Sequence, residues 1–415
     1  MVKLSLIPTA SPIHPKSRWA RKIDEIVKKI SQANIEFELT KCITSLEEAL
    51  KFKMETDAAG TIIIVLTGGT STIAKEVALR SKKPIAFLAH GEDNSLPSAI
   101  EAREKLKIEG IYSKLLYVDL EQKTLNKELK VFANVAKAYD YLSNLKIIGI
   151  ETNLNNYISI GEIKIKIINV SEEELSSTMK SINDIEVAQL EEELTKRTEI
   201  TDISESDLKK SIKLYLAIRR LMKKYGANGV TFNCFKFILK YKITPCLTIS
   251  LTNSNGFIGA CEAEVPAAIA MIIGSSLSTK PSFMGNLSAF NIKSNTITLA
   301  HCTAPLNIAE GKARLVRHFE TGLSVSLDVP MSRQDVTLLS LSKDLSQLMA
   351  IEGEILQSSM KNPSMCRTQV EVKLSVPVEK FMEKALGNHQ TIVFCKVREV
   401  IEELAKNLGV EFVSP

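Results

Sequence analysis

The sequence contains no closely spaced cysteine pair. Its seven cysteines are scattered along 415 residues, and the CxxC motif does not occur. Disulfide scaffolds and zinc ribbons both depend on cysteines paired at short spacing, so neither class is indicated. The scattered cysteines instead predict reduced, mostly buried thiols and a cytoplasmic protein.

Long apolar segments are also missing. No stretch approaches the roughly 18 to 20 consecutive apolar residues that cross a bilayer. The N-terminal segment MVKLSLIPTASPIHPKSRW has too short an apolar run for a secretory signal. We therefore expect neither a membrane-spanning protein, nor a membrane partner, nor ordinary secretion.

Features that bind phosphates are scarce. The 53 lysines and arginines nearly balance 48 aspartates and glutamates, and no basic arm concentrates the net charge of +5. Nucleic acid is therefore not an expected partner. The turn TGGTST lacks the lysine of a P-loop and the third glycine of a dinucleotide fingerprint, so a nucleotide or redox enzyme is not indicated either.

Apolar and amphipathic segments alternate over residues 1–120. Short apolar runs such as TIIIVL and PIAFLA are separated by segments with helical periodicity. Continuous apolar strands in this βαβα order are typical of a parallel sheet that helices cover on both faces. The pattern predicts a Rossmann-like parallel α/β domain at the N-terminus.

The remaining chain predicts two further domains, because its length exceeds that of one core. The alternation continues less regularly over residues 121–285, which predicts a second α/β domain. From residue 286 to 415 the apolar runs are shorter, as in TITLAH and QVEVKLS, and Gly, Asn, Ser and Pro separate them. This pattern of short apolar runs predicts a mainly antiparallel β domain. The expected fold class is therefore α/β with a β-rich C-terminus.

The segment NGFIGACEAEVPAAIAMIIG places Glu262 and Glu264 between a glycine-rich stretch and a wholly apolar helix. A helix N-cap, favoured by the helix dipole, is the simpler explanation and accounts for one glutamate. It does not account for the apolar surroundings. Metal binding or acid–base chemistry at Glu262 is therefore an equal alternative.

Three of the five histidines, His301, His318 and His389, fall in the last third of the chain. Each ends or follows an apolar strand, where a single histidine is usually a satisfied core residue. Together with Glu262 they suggest a set of ligands for a divalent ion, because imidazole and carboxylate suit manganese, iron or zinc.

The motifs resemble those of the L-fucose isomerase and L-arabinose isomerase superfamily, and most closely its L-fucose isomerase-like proteins. The resemblance covers the chain from about residue 229 to the C-terminus, and the motifs are fairly specific as a set. They are PCLTISLTNSNGFIGACEAEVPAAIAMIIGSSLSTKPSFMGNL, NTITLAHCTAP, RHFETG, MCRTQVEVKL and GNHQTIVF.

The resemblance implies a bound metal, usually manganese. Its ligands in the superfamily are a glutamate, an acidic residue about two dozen positions later and a C-terminal histidine, which correspond here to Glu262, Asn286 and His389. His301 matches a further active-site histidine and is a candidate fourth ligand. Asn286 departs from the pattern, because an amide lacks the charge and the proton affinity of the expected carboxylate.

The implied activity is metal-dependent aldose–ketose isomerisation of a small sugar through an enediol. In that reaction a base moves a proton between neighbouring carbons while the metal polarises the carbonyl. The resemblance assigns these catalytic roles to Glu262 and to the position of Asn286. The departure at Asn286 leaves open a non-catalytic homologue that binds a sugar or supports a partner.

Further positions are candidates for substrate binding. Arg367 and His318 lie in the resembling motifs, although an exposed or interstrand arginine is an equally good explanation of Arg367. His14, Arg18 and Trp19 follow the first parallel strand, at the edge where ligands tend to bind, or serve a helix cap. The resemblance also implies a homo-oligomer, a trimer or hexamer, in which this N-terminal region reaches the next subunit's active site.

Overall fold

A computed structural model describes residues 2–54, 57–81 and 83–415. The chain forms two compact units. The first unit comprises the described residues up to Asp140 together with Glu399–Gly409, and the second comprises Tyr141–Arg398 and Val410–Pro415. The domain boundaries near residues 120 and 285 stay predictions.

The first unit is built on a five-stranded parallel sheet, as the alternating pattern predicts. Its strands are β1 (Lys3–Thr9), β2 (Glu36–Leu39), β3 (Gly60–Val65), β4 (Ile85–Ala89) and β5 (Lys114–Tyr117), in the order β2-β1-β3-β4-β5. In β3, Ile62 and Ile64 pack in the hydrophobic core on one face, whereas Ile63 and Val65 pack on the other. Both faces are buried because helices cover them. The helices of this part of the chain are α1 (Lys16–Ser31), α2 (Leu46–Lys51), α3 (Ser71–Ala78), α4 (Ser95–Ile108) and α5 (Gln122–Ser143).

The second unit begins with another largely parallel sheet, which confirms the mixed α/β class. Its strand order is β11-β10-β6-β8-β7, and only β7 runs antiparallel to its neighbour. These strands are β6 (Lys146–Ile150), β7 (Tyr157–Ile160), β8 (Ile163–Val170), β10 (Gly229–Phe232) and β11 (Ile258–Ala260). The accompanying elements are α6 (Glu172–Lys180), α7 (Asp184–Arg197), β9 (Thr198–Ile200), α8 (Glu205–Tyr225), α9 (Cys234–Tyr241), α10 (Cys246–Ser254) and α11 (Val265–Leu277).

The C-terminal part of the second unit is an antiparallel β-barrel. Strands β12 (Phe283–Asn291), β13 (Thr296–His301), β16 (Gln334–Leu341), β17 (Gln347–Ser358), β18 (Thr368–Leu374) and β19 (His389–Val393) follow the order β16-β19-β12-β13-β18-β17. The barrel closes because β17 pairs back with β16. The remaining elements of the second unit are β14 (Ala313–Val316), β15 (Ser326–Asp328), α12 (Val378–Lys384) and β20 (Glu411–Val413), whereas α13 (Arg398–Leu408) belongs to the first unit from its second residue onward. The predicted antiparallel C-terminal region is thus confirmed. Its closure into a barrel goes beyond the prediction from the sequence.

The register of the barrel brings two of the candidate histidines to one end. On β12, Asn286 lies opposite His389 of β19 and opposite Ala300 of β13, the residue before His301. Strand pairing alone therefore places residues 286, 301 and 389 close together.

One further property of the helices follows from their lengths and composition. No helix within the described ranges is both long and apolar enough to span a bilayer.

Candidate functional site

A strained turn between β11 and α11 presents Glu262. Glu262 and Ala263 have φ angles of 58° and 55°, in the left-handed region that residues with a side chain rarely adopt. The amide of Ala263 donates to the carbonyl of Phe232 over 2.6 Å, and the amide of Glu262 donates to Cys234 Sγ over 3.3 Å. These bonds from the end of β10 and the start of α9 hold the turn and direct the carboxylate.

Ala263→Gly is expected to raise the free energy of unfolding by up to about 1 kcal/mol, because glycine adopts a positive φ without steric cost. Ala267→Gly in α11 is the matched control, and there the same change is expected to lower that energy by about 1 kcal/mol. Urea unfolding of both variants measures the difference. A loss of stability in Ala263→Gly contradicts the strain described for this turn.

The Glu262 carboxylate lies between two imidazoles. Oε1 of Glu262 is 4.0 Å from Nε2 of His301, and Oε2 is 3.7 Å from Nε2 of His389. The two imidazole rings are 5.8 Å apart, centre to centre. These spacings exceed hydrogen-bond length, so the three side chains converge without bonding to one another.

The two histidines are buried, and their facing nitrogens make no hydrogen bond within the described part of the chain. His301 is 3% exposed and His389 is 7% exposed. Nδ1 of His301 bonds to Thr303 Oγ1 over 3.0 Å, whereas Nε2 of His301 and both ring nitrogens of His389 lack a hydrogen-bond partner among the described residues. Buried polar atoms without partners cost about 1 to 3 kcal/mol each, so this arrangement suits residues that bind a ligand.

The electrostatics favour a carboxylate and a neutral imidazole. His389, and then His301, hold the pKa of Glu262 below its usual value, although burial opposes them. Burial, and then the neighbouring His389, lower the pKa of His301 to about 4. At neutral pH the site therefore offers an anionic oxygen and an imidazole lone pair, which are the protonation states that metal ligands require.

The site opens into a cavity of about 320 Å³ whose lining is rich in sulfur. Cys261 contributes a sulfur that lies, with the ligand atoms of Glu262 and His301, in a group within 4.8 Å of one another. Five of the seven cysteines line the cavity, namely Cys234, Cys246, Cys261, Cys302 and Cys366. The sequence pattern does not single out these thiols, although Cys261 directly precedes Glu262 and Cys302 directly follows His301.

Asn286 lies at the wall of the same cavity and is half-buried. Its Oδ1 accepts a hydrogen bond from Asn388 Nδ2 over 3.1 Å. At this position the sequence resemblance implies a carboxylate. The protein instead presents a neutral amide oxygen, which already accepts one hydrogen bond.

Of the predicted substrate-binding residues in the second unit, His318 lines the cavity and Arg367 does not. His318 is 7% exposed, and its Nδ1 lies 3.3 Å from Thr321 Oγ1. The guanidinium of Arg367 donates from Nε to the carbonyl of Arg317 over 2.8 Å, while its backbone amide donates to Cys302 Sγ over 3.5 Å. Arg367 therefore supports the loop that forms part of the cavity wall.

The other three predicted residues belong to the first unit. His14 and Trp19 line a shallow pocket just beyond the carboxyl end of β1, together with Lys16 and Thr44. Arg18 binds Asp93, with Nε donating to Oδ2 over 3.1 Å. Their predicted role in substrate binding stays a prediction.

Comparisons with known proteins give one informative similarity. No known family profile matches the chain. The chain is similar to a protein named sulfoquinovose isomerase from Clostridium sp. (strain MSTE9), with 25% identity over 212 residues. The match covers 48% of this chain and 47% of that protein, so the chain spans about half the length of the relative that it matches.

Proposed function

We propose that this protein is a metal-dependent aldose–ketose isomerase that converts a small sugar through an enediol. The observation that carries the proposal is the Glu262 carboxylate, which lies 4.0 and 3.7 Å from the facing nitrogens of the buried His301 and His389. Two atoms bound to one ion at about 2.1 Å each are at most about 4.2 Å apart, so both spacings suit a shared ion. The similarity to a protein named sulfoquinovose isomerase supports the same class of reaction.

Glu262, His301 and His389 would hold the divalent ion, with the amide oxygen of Asn286 as a neutral donor. A carbonyl oxygen has two lone pairs, so Asn286 Oδ1 keeps one beside its bond from Asn388. Held by these residues, a divalent ion would supply the Lewis acidity that polarises the sugar carbonyl and favours the negative charge that develops on its oxygen. Manganese is the metal that the resemblance implies.

The protein's own groups must move a proton between two neighbouring carbons. Glu262 is suited to accept it and return it, because its carboxylate is ionised and faces the cavity. The amide of Asn286 cannot take up a proton near neutral pH. Glu320 is an exposed carboxylate on the cavity wall, and it offers a second acid for this transfer.

The charge of the cavity favours an uncharged sugar. Within the described chain, no lysine or arginine lines it, whereas Glu262 and Glu320 are acidic. A sulfonated sugar such as sulfoquinovose needs a cation beside its sulfonate, and buried anions without one are costly. We therefore propose a neutral pentose or deoxyhexose as the substrate.

The proposal is tested with protein stripped of metal and then reloaded with single divalent ions. Neutral aldoses and sulfoquinovose are incubated with each form in deuterium oxide, and nuclear magnetic resonance follows ketose formation. We expect turnover that depends on the added ion, with solvent deuterium entering at the carbon beside the carbonyl, as an enediol requires. Absence of both turnover and exchange across all the sugars contradicts the proposal.

The neutral side chain of Asn286 favours a second candidate, a non-catalytic homologue that binds a sugar or supports a partner. Such a protein would bind a sugar without exchanging its hydrogen for deuterium. Calorimetry with the same sugars, beside the exchange assay, separates the two functions. Light scattering checks the predicted trimer or hexamer.

A further inference from the structure

We infer that Cys261 is a ligand of the metal, and that the site therefore selects a thiophilic ion such as zinc or cobalt over manganese. The inference rests on the proposed metal site and specifies which ions it takes. Its starting point is the group formed by the Cys261 sulfur, a Glu262 oxygen and a His301 nitrogen, all within 4.8 Å of one another.

The spacing of this group fits one ion. A Zn–S bond is about 2.3 Å and Zn–N or Zn–O about 2.1 Å, so a sulfur and an oxygen or nitrogen on one ion lie at most about 4.4 Å apart. The observed limit exceeds that value by only a few tenths of an ångström, which side-chain rotation covers. The Nε2 atom of His389, 3.7 Å from Glu262, completes four protein donors.

The burial of the two histidines and Cys261 favours a second negative ligand. Cys261 is 5% exposed and His301 is 3% exposed, and a buried ion is costly unless opposite charges balance it. Glu262 supplies one negative charge, and Asn286 supplies none. With its proton released to solvent, Cys261 would hold the ion through a thiolate sulfur, and this thiolate would supply the second negative charge.

Cys234 holds Cys261 in place beside the site. Its sulfur is next to the sulfur of Cys261, and either thiol can be the donor in this contact. The amide of Glu262 donates to the same Cys234 sulfur over 3.3 Å, which ties this thiol to the turn that carries both ligands. Outer hydrogen bonds of this kind orient metal ligands.

The donor set then determines which ion binds. Thiolate and imidazole favour zinc and cobalt, whereas manganese prefers carboxylate, carbonyl and water oxygens. We expect the protein to bind zinc at least about 100-fold more tightly than manganese, a larger gap than a site with oxygen and imidazole donors alone would show.

The test uses the spectrum of the cobalt-loaded protein. Full-length protein, stripped of metal and kept reduced with a phosphine, is titrated with cobalt, and a sulfur-to-cobalt charge-transfer band in the near ultraviolet is expected. Cys261→Ser should lose this band and narrow the ratio of zinc to manganese affinity at least about 10-fold. Cys42→Ser, in the first unit, is the matched control. It should keep both the charge-transfer band and the native ratio of zinc to manganese affinity.

Two outcomes overturn the inference. One is a cobalt complex of the native protein without the band, and the other is a Cys261→Ser variant that keeps it. Should Cys261→Ser fail to fold, X-ray absorption of the native zinc-loaded protein decides instead: a sulfur shell near 2.3 Å is expected, and nitrogen and oxygen alone refute the proposal.

The outcome is separable from the proposed function. Isomerase activity without a sulfur ligand leaves the function standing and removes the inference. A sulfur ligand without turnover or deuterium exchange supports the inference about Cys261 and contradicts the isomerase function.

Discussion

Glu262→Gln is expected to lower isomerase kcat/KM by at least about 10³-fold. The change keeps the size of the side chain but removes both the negative charge and the ability to take up a proton. General acid–base catalysis alone is worth about 10² to 10⁴-fold, and loss of the anionic ligand adds to the deficit. Initial rates of ketose formation, measured at saturating metal, give the effect.

Glu264→Gln is the control for this prediction. It makes the same chemical change two residues further on, where Glu264 is the half-buried residue before α11 and its side chain makes no capping bond. We expect its rate to stay within about twofold of the native rate. An equal loss of kcat/KM in the two variants, or no loss in Glu262→Gln, would contradict the prediction. The carboxylate between the two imidazoles would then not be the reacting group.

Asn286→Asp is expected to tighten divalent-metal binding by about 10 to 100-fold. An anionic oxygen replaces a neutral one beside a largely buried ion, where the Coulomb attraction is much less screened than in water. The new carboxylate can still accept the hydrogen bond from Asn388, so its orientation is retained. Calorimetric titration with zinc and manganese measures the change.

In the metal-free protein the same substitution should reduce stability. Two carboxylates then share the site without a cation, and we expect the free energy of unfolding to fall by about 1 to 2 kcal/mol at neutral pH. Added metal should restore it. Asn291→Asp, at the exposed end of the same strand, is the control, because its acceptor bonds to the amides of Lys293 and Ser294 tolerate a carboxylate.

The effect of Asn286→Asp on activity distinguishes the two candidate functions. A rise from a measurable native rate supports the isomerase, whereas activity that exists only in the variant supports the non-catalytic homologue. A metal affinity that is unchanged in the variant would place Asn286 outside the metal's surroundings.

The parallel sheet of the first unit was predictable because its signal is local. The run TIIIVL becomes β3, in which every residue is buried, and its alternate side chains enter the cores on opposite faces. Such a strand is recognised from its own composition and from the helices that flank it. No information about distant residues is needed.

The closure of the barrel was not predictable in the same way. Each antiparallel strand shows its alternation in the sequence, but alternation does not state which strand pairs with which. The pairing of β17 with β16 on one edge and β18 on the other is a matter of register and packing. That closure, with β12 between β13 and β19, decides where His301 and His389 lie.

The sequence by itself determined the α/β class, the antiparallel C-terminus and, through the resemblance, the residue types at Glu262, His301 and His389. Only the tertiary structure decided that these side chains converge. It also brought Cys261 and Cys234 to the same cavity, whereas Arg367 does not line that cavity. The physical reason is range: periodicity reports on neighbours along the chain, whereas a ligand site depends on distances between strands that fold together from remote segments.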